Sequence, residues 1–105
     1  MPFTLGFETY VDLIDHYGRH GQELGALDPV DYERMADEFM GQPPADPALV
    51  LQCRRRNGDL VRYNQVTEEF GVLRRDLVIK SYYRADPQVH KCENNLVYFR
   101  QECRK

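Results

Sequence analysis

Tryptophan is absent from this 105-residue chain. No apolar run approaches the length of about 18 residues that a membrane-spanning helix needs, so a helical span is excluded. The opening MPFTLGFETYVDLID lacks the basic start and apolar centre of a secretory signal peptide, so if the chain is exported, another element is expected to carry it. Cysteine is scarce: Cys53, Cys92 and Cys103 form no CxxC pair and leave one over. That count argues against a disulfide scaffold and a structural zinc site, and predicts free thiols in a reducing compartment. Phosphate-binding P-loops, dinucleotide fingerprints, G-x-S-x-G elbows and zinc-deaminase signatures are all missing, so no cofactor is expected.

Apolar residues make up 42% of the chain and charged residues 30%, which is the balance of a globular protein and leaves room for one modest core. A single domain over 1–105 is expected, with a helical part at 1–41 and a sheet with a C-terminal helix at 48–105. The formal charge of −3 hides a division. Residues 1–49 hold ten acids against two bases, Arg19 and Arg34, whereas residues 50–105 hold twelve bases against seven acids. Such asymmetry points to an anionic partner for the basic half or a charged protein partner for the acidic half, although two solvated faces explain it equally well.

The apolar residues Phe7, Tyr10, Val11, Ile14 and Tyr17 recur at helical spacing and predict a buried stripe on a helix over 7–17. Gly18, Gly21 and Gly25 predict that this helix frays or turns within HYGRHGQELG. A second helix over 29–40 has Asp28 as N-cap, Pro29 in its first turn and Tyr32, Met35, Ala36, Phe39 and Met40 as its buried side. QPPADP ends it, and the hydrophobic period then changes from 3.6 to 2. ALVLQCRR, LVRYNQ, EFGVLR and LVIKSYY read as four strands, joined by Asn57-Gly58-Asp59 and by turns at VTEE and RRD. The expected fold is α+β, with N-terminal helices packed on one face of a four-stranded antiparallel sheet. RADPQVHKCENN reads as a loop, and Asn94 or Asn95 caps a short C-terminal helix carrying Leu96, Phe99 and Cys103.

The most concentrated chemistry lies at His16-Tyr17-Gly18-Arg19-His20-Gly21. Continued helical geometry would project His16, Arg19, His20 and Glu23 from one face. Two imidazoles beside a cation supply what cleavage of an RNA phosphodiester needs: a base for the 2′-hydroxyl, an acid for the leaving oxygen and a positive group at the phosphoryl oxygens. A metal pair is disfavoured because the glutamate of HExxH is missing and Arg19 would oppose the cation. Helix capping remains a plainer explanation for either histidine. The second concentration is Lys80-Ser81-Tyr82-Tyr83-Arg84, where hydroxyls face phosphate and an aromatic ring takes an unstacked base. Arg54, Arg55, Arg56 and Arg62 flank the first hairpin and offer phosphate contacts, or alternatively the charge of a protected sheet edge. His90, in the loop after Asp86-Pro87, ranks below the first two histidines.

The runs HYGRHGQELGALDPVDYERMADEFM, RRRNGDLVRYNQVTEEFGVL, SYYRADPQVH and NNLVYFRQEC together resemble the C-terminal nuclease domain of bacterial polymorphic and contact-dependent inhibition toxins. His16, His20 and Gly21 match that family's opening motif, with Arg19 in place of its usual Lys. Arg62, Tyr63, Asn64, Thr67, Glu69, Phe70 and Gly71 match its sheet motif, and Ser81, Tyr82 and Tyr83 its aromatic strand ending. The resemblance implies the barnase–EndoU–colicin–RelE-like fold and a metal-independent endoribonuclease, acting on tRNA and leaving a 2′,3′-cyclic phosphate. It also implies a cognate immunity protein as partner, and action in the cytoplasm of the producing or target cell after delivery within a larger toxin. His16, Arg19, His20, Ser81 and Tyr83 are the expected catalytic residues. Arg54, Arg55, Arg62, Thr67, Lys80, Tyr82 and Arg84 are the expected RNA contacts. The competing expectation is a non-catalytic RNA-binding or protein-interaction module on the same scaffold.

Overall fold

A computed structural model of the chain describes residues 3–105. The first helix, α1 (Tyr10–His20), is capped by Thr9, whose side chain accepts the Asp12 amide. It runs through Gly18 to His20, three residues past the expected end, supported by an Asp15–Arg19 pair at i, i+4. Its buried side also differs from the expected stripe. Tyr10 and Val11 are 72% and 76% exposed, while Leu13 is buried and His16, Tyr17 and His20 are half-buried. The cause lies upstream. Residues Leu5 and Gly6 bond to Leu77 and Ile79, which fixes Phe7 in the core as an extended residue before the helix begins. Phe7 therefore does not set the helix's rotation, and the overlapping stripe through Leu13 and Tyr17 meets the rest of the core.

The second helix, α2 (Pro29–Gly41), follows its punctuation: Asp28 accepts the Asp31 amide, and Tyr32, Ala36 and Met40 are fully buried. It packs on the sheet, which is a meander of β1 (Val50–Arg54), β2 (Leu60–Asn64), β3 (Glu69–Leu73) and β4 (Ile79–Arg84), antiparallel in the order β1-β2-β3-β4. Glycine is needed at Gly71, where an added Cβ would lie 2.5 Å from the Met40 sulfur, so α2 could not approach so closely. Asn57-Gly58-Asp59 forms the first hairpin, with Gly58 at φ +97°. A register shift between Val72 and Leu73 accommodates Lys80 in the last strand pair.

The expected loop after β4 contains a one-turn helix, α3 (Pro87–His90), capped by Asp86. The C-terminal helix α4 (Asn95–Cys103) is capped by Asn94. It covers the second face of the sheet, where Phe99 joins Val61, Tyr63, Phe70, Val72 and Ala85. The expectation of one uncovered face is thereby corrected, because both faces carry aliphatic and aromatic residues. Burying a Phe or Val side chain is worth about 1.5–3 kcal/mol, so each face needs a lid. Cysteine pairing is the second correction. Cys53 on β1 and Cys103 at the end of α4 form a disulfide with a Cα–Cα separation of 6.1 Å, and Cys92 alone is free. Fifty residues separate the pair, and only the meander and the return of α4 bring them together. No helix among the described residues is long and apolar enough to cross a membrane.

Candidate active site

At the end of the sheet where β4 leaves for α3, four parts of the chain converge around a cleft of about 930 Å³. They are the C-terminus of α1, the β2–β3 turn, the end of β4, and the segment from α3 to the first turn of α4. Each brings polar chemistry for a local reason.

His20 ends α1, and its ring lies 5.3 Å from that of Tyr83. Its Nδ1 is 3.3 Å from Glu23 Oε1, while Glu23 Oε2 accepts the backbone N–H of Arg84 at 2.7 Å. Glu23 thus bonds to β4 as well as to Nδ1 of the imidazole, and His20 Nε2 makes no protein hydrogen bond among the described residues. Arg84 is exposed on the cleft wall and makes no side-chain ion pair among the described residues.

Glu68 closes the β2–β3 turn in the left-handed conformation, φ +67°, which is unusual for a non-glycine residue. Its backbone is held at both ends, the amide donating to Asn64 O at 2.8 Å and the carbonyl accepting the Ala85 amide at 2.9 Å. Its Oε2 accepts from Tyr63 Oη at 2.8 Å and from Asn95 Nδ2, while Oε1 has no protein partner among the described residues. Burial and the neighbouring Glu68 carboxylate push Tyr63 up to about 12, so its hydroxyl stays a donor at neutral pH.

Asn95, buried in the first turn of α4, also donates to Ala85 O at 3.1 Å and receives His90 Nε2 at 2.7 Å. The other His90 nitrogen, Nδ1, accepts the Cys92 amide at 3.1 Å. Those two bonds fix a neutral tautomer with the proton on Nε2. The His90 ring stacks on Tyr98, 4.1 Å apart and nearly parallel. Tyr98 in turn shares a hydroxyl hydrogen bond with Tyr83, and burial raises the pKa of both phenols.

Of the residues expected from sequence, His20, Tyr83 and Arg84 line this cleft. His16 does not. One turn earlier on α1, it packs 5.0 Å from the Phe7 ring, and its buried Nδ1 has no partner among the described residues. Burial, and then the charges of Arg19 and His20, hold its pKa below the ordinary value. Arg19 is exposed and paired with Asp15 at 2.8 Å, outside the cleft lining. Ser81 shares Tyr83's side of β4 but sits half-buried opposite Val72, away from the cleft.

Three expected RNA contacts are placed inside the fold. Tyr82 is 0% exposed and bonds to Glu69, so neither ring face can receive a base. Arg62, 6% exposed, donates to the carbonyls of Phe39 and Gln42 at the end of α2 and to Gln52. Arg55, half-buried as a residue, keeps 8% of its side chain exposed and pairs with Glu102 and Asp59. Arg54, Thr67 and Lys80 are exposed, bonding to Gly58 O, Glu69 and Asp59 respectively, and do not line the cleft. The strongest newcomer is Glu68. Its turn was legible at VTEE, but nothing in the local pattern separated its carboxylate from that of Glu69.

No protein-family model matches the chain, and no curated protein matches it significantly in sequence. Among solved structures it is similar to one described as a ribonuclease from Escherichia coli complexed with its inhibitor protein. The identity is 16%, the match covers 84% of this chain and 95% of that one, and the TM-score is 0.58. At that identity the likeness establishes a shared α+β fold of helices on an antiparallel sheet.

Proposed function

We propose that the protein is an endoribonuclease that cleaves by attack of a 2′-hydroxyl on the adjacent phosphorus, leaving a 2′,3′-cyclic phosphate. The observation carrying this reading is the convergence of two proton-transfer groups, His20 and Glu68, with the cation Arg84 in one cleft. Glu68 takes the 2′-hydroxyl proton through its open Oε1, while Tyr63 and Asn95 hold Oε2. His20, oriented by Glu23, gives a proton to the leaving 5′-oxygen. Arg84 neutralises charge on the phosphoryl oxygens, and the Tyr83–Tyr98 hydroxyl pair stands ready to hydrogen-bond them. Acid, base and cation all come from side chains, so the scheme calls on no metal. This assignment keeps His20 and Tyr83 from the sequence reading and moves the work expected of His16, Arg19 and Ser81 to Glu68 and Arg84.

The substrate we propose is tRNA, as the resemblance to toxin nuclease domains implies, with a cognate inhibitor protein as partner. The fold shared with a ribonuclease complexed with its inhibitor protein supports the ribonuclease and the inhibitor in that reading. Incubation of the purified protein with total tRNA in EDTA, followed by mapping of fragment ends, tests it. Discrete cuts ending in cyclic phosphate are expected, with His20→Ala and Glu68→Gln each slowed about 10²-fold or more. Folded variants that cut at the parental rate would move the active site elsewhere. A protein that binds tRNA without cutting it would be a binding module.

A further inference from the structure

The helix that supplies Asn95 and Tyr98 to the cleft is weakly anchored by its own sequence. Among its nine residues Phe99 is the only fully buried apolar one, and the other buried positions, Asn95 and Glu102, are polar. A helix this short is not stable alone, so α4 depends on its attachments. At its C-terminal end these are the Cys53–Cys103 disulfide and the bonds from Arg55 to Glu102. At its N-terminal end they are the bonds from Asn95 to Glu68 and from Tyr98 to Tyr83. One rigid element therefore joins a covalent clamp to the cleft wall, two turns away.

We propose that the Cys53–Cys103 disulfide is a reductant-sensitive clamp that keeps the cleft assembled, and that a dithiol reductant switches the site off by releasing α4. The catalytic consequence rests on the function proposed above; the release of α4 does not. A thiolate of the reductant attacks one cysteine sulfur, forming a mixed disulfide and expelling the other cysteine as a thiolate. The reductant's second thiol then displaces the first cysteine. Two electrons and two protons pass from the dithiol, which ends as a cyclic disulfide, and two cysteine thiols remain. Both cysteines are half-buried, at the rim of the second core cluster and on the edge strand of the sheet. Once the bond is cut, the denatured-state constraint of a 50-residue loop is lost, and α4 retains Phe99, the Arg55–Glu102 pair and the hydrogen bonds of Asn95 and Tyr98, with no covalent tie.

The test uses the Cys92→Ser protein, which removes re-pairing with the free thiol, in oxidised form and after treatment with dithiothreitol. A Cys53→Ser/Cys103→Ser variant of the same protein is the permanently reduced comparison. Amide hydrogen exchange is followed in residues 98–103 and in β3, alongside the initial rate of tRNA cleavage. Reduction is expected to speed exchange in α4 by about 10²-fold or more while β3 stays protected, which also shows that the fold survives. Cleavage is expected to fall by about 10-fold or more, to recover on reoxidation, and to be low and dithiothreitol-insensitive in the double variant. Unchanged α4 exchange on reduction overturns the clamp. A loosened α4 with an undiminished rate overturns the switch and leaves the ribonuclease reading standing. An oxidised protein that never cleaves RNA sinks the enzymatic reading, and the exchange arm then decides the clamp by itself.

Discussion

Replacing Arg62 with methionine should cost this protein a large part of its stability and should not act through RNA. Its guanidinium donates to Phe39 O and Gln42 O, both at 2.7 Å, and to Gln52 Oε1 at 2.9 and 3.1 Å. The two carbonyls belong to the end of α2, where the helix leaves acceptors without partners and carries the negative end of its dipole. Methionine keeps much of the stem volume but strands both carbonyls, each at about 1–3 kcal/mol, while the exposed Gln52 amide turns to water. Relief of the guanidinium's desolvation, which already lowers its pKa, offsets part of that loss. The net cost is about 3–5 kcal/mol, in line with breaking one side of a buried charged network. At about 2.1 cal/mol/K per residue, this corresponds to a fall in Tm of roughly 14–23 °C. Arg62→Lys should recover less than half, because one ammonium cannot reach all three acceptors. Arg54→Ala, at an exposed position, should stay within about 0.5 kcal/mol of the parent. Urea and thermal melts followed by circular dichroism measure all three. An Arg62→Met protein that melts within about 3 °C of the parent yet binds RNA less tightly would return Arg62 to the RNA interface and refute the structural role.

His16 has its pKa lowered, chiefly by burial, so proton uptake favours the unfolded chain: its stabilising contribution is complete above the ordinary histidine value of about 6.5 and is lost as the pH falls below it. His16→Leu should flatten the dependence of Tm on pH between 5 and 7.5, and equal slopes in parent and variant would discard the argument. Gly71→Ala places a Cβ 2.5 Å from Met40 Sδ and 3.2 Å from Ser81 O, so a loss of about 1–3 kcal/mol is expected in denaturant melts. Arg84→Ala should weaken RNA binding and reduce the salt dependence of log K by about one unit of slope, measured by fluorescence titration across salt concentrations. An unchanged slope would take Arg84 off the phosphate path.

The fold was largely legible because its signals are local. Asp28-Pro29 and QPPADP bracket α2 at the expected residues, and the change to a period of 2 marks four strands in meander order. The misreadings have one physical character. Periodicity says which residues of a helix share a face, but the N-terminal segment paired with β4 decides which face turns inward, and it turned Tyr10 and Val11 outward. Likewise, an odd cysteine count carried no information about Cys53 and Cys103, whose proximity comes from tertiary return over 50 residues.

The site was less legible than the fold for a related reason. A histidine cluster at helical spacing suggested a unit, yet His16 and His20, with ring centroids 6.3 Å apart, face different environments: one beside Phe7, the other over Tyr83. Basic residues misled in the same way. A run of arginines marks positive charge but not its use, and here the two that fold inward, Arg55 and Arg62, fasten α4 and the end of α2. Glu68 carried the opposite problem, being one of two neighbouring acids in a segment read as a turn. Its candidacy emerges only once Tyr63, five residues earlier, and Asn95, twenty-seven residues later, are seen to hold one carboxylate oxygen and leave the other open. Spacing along a helix can nominate a single proton-transfer group, but pairing it with a second across a cleft is a property of the folded chain.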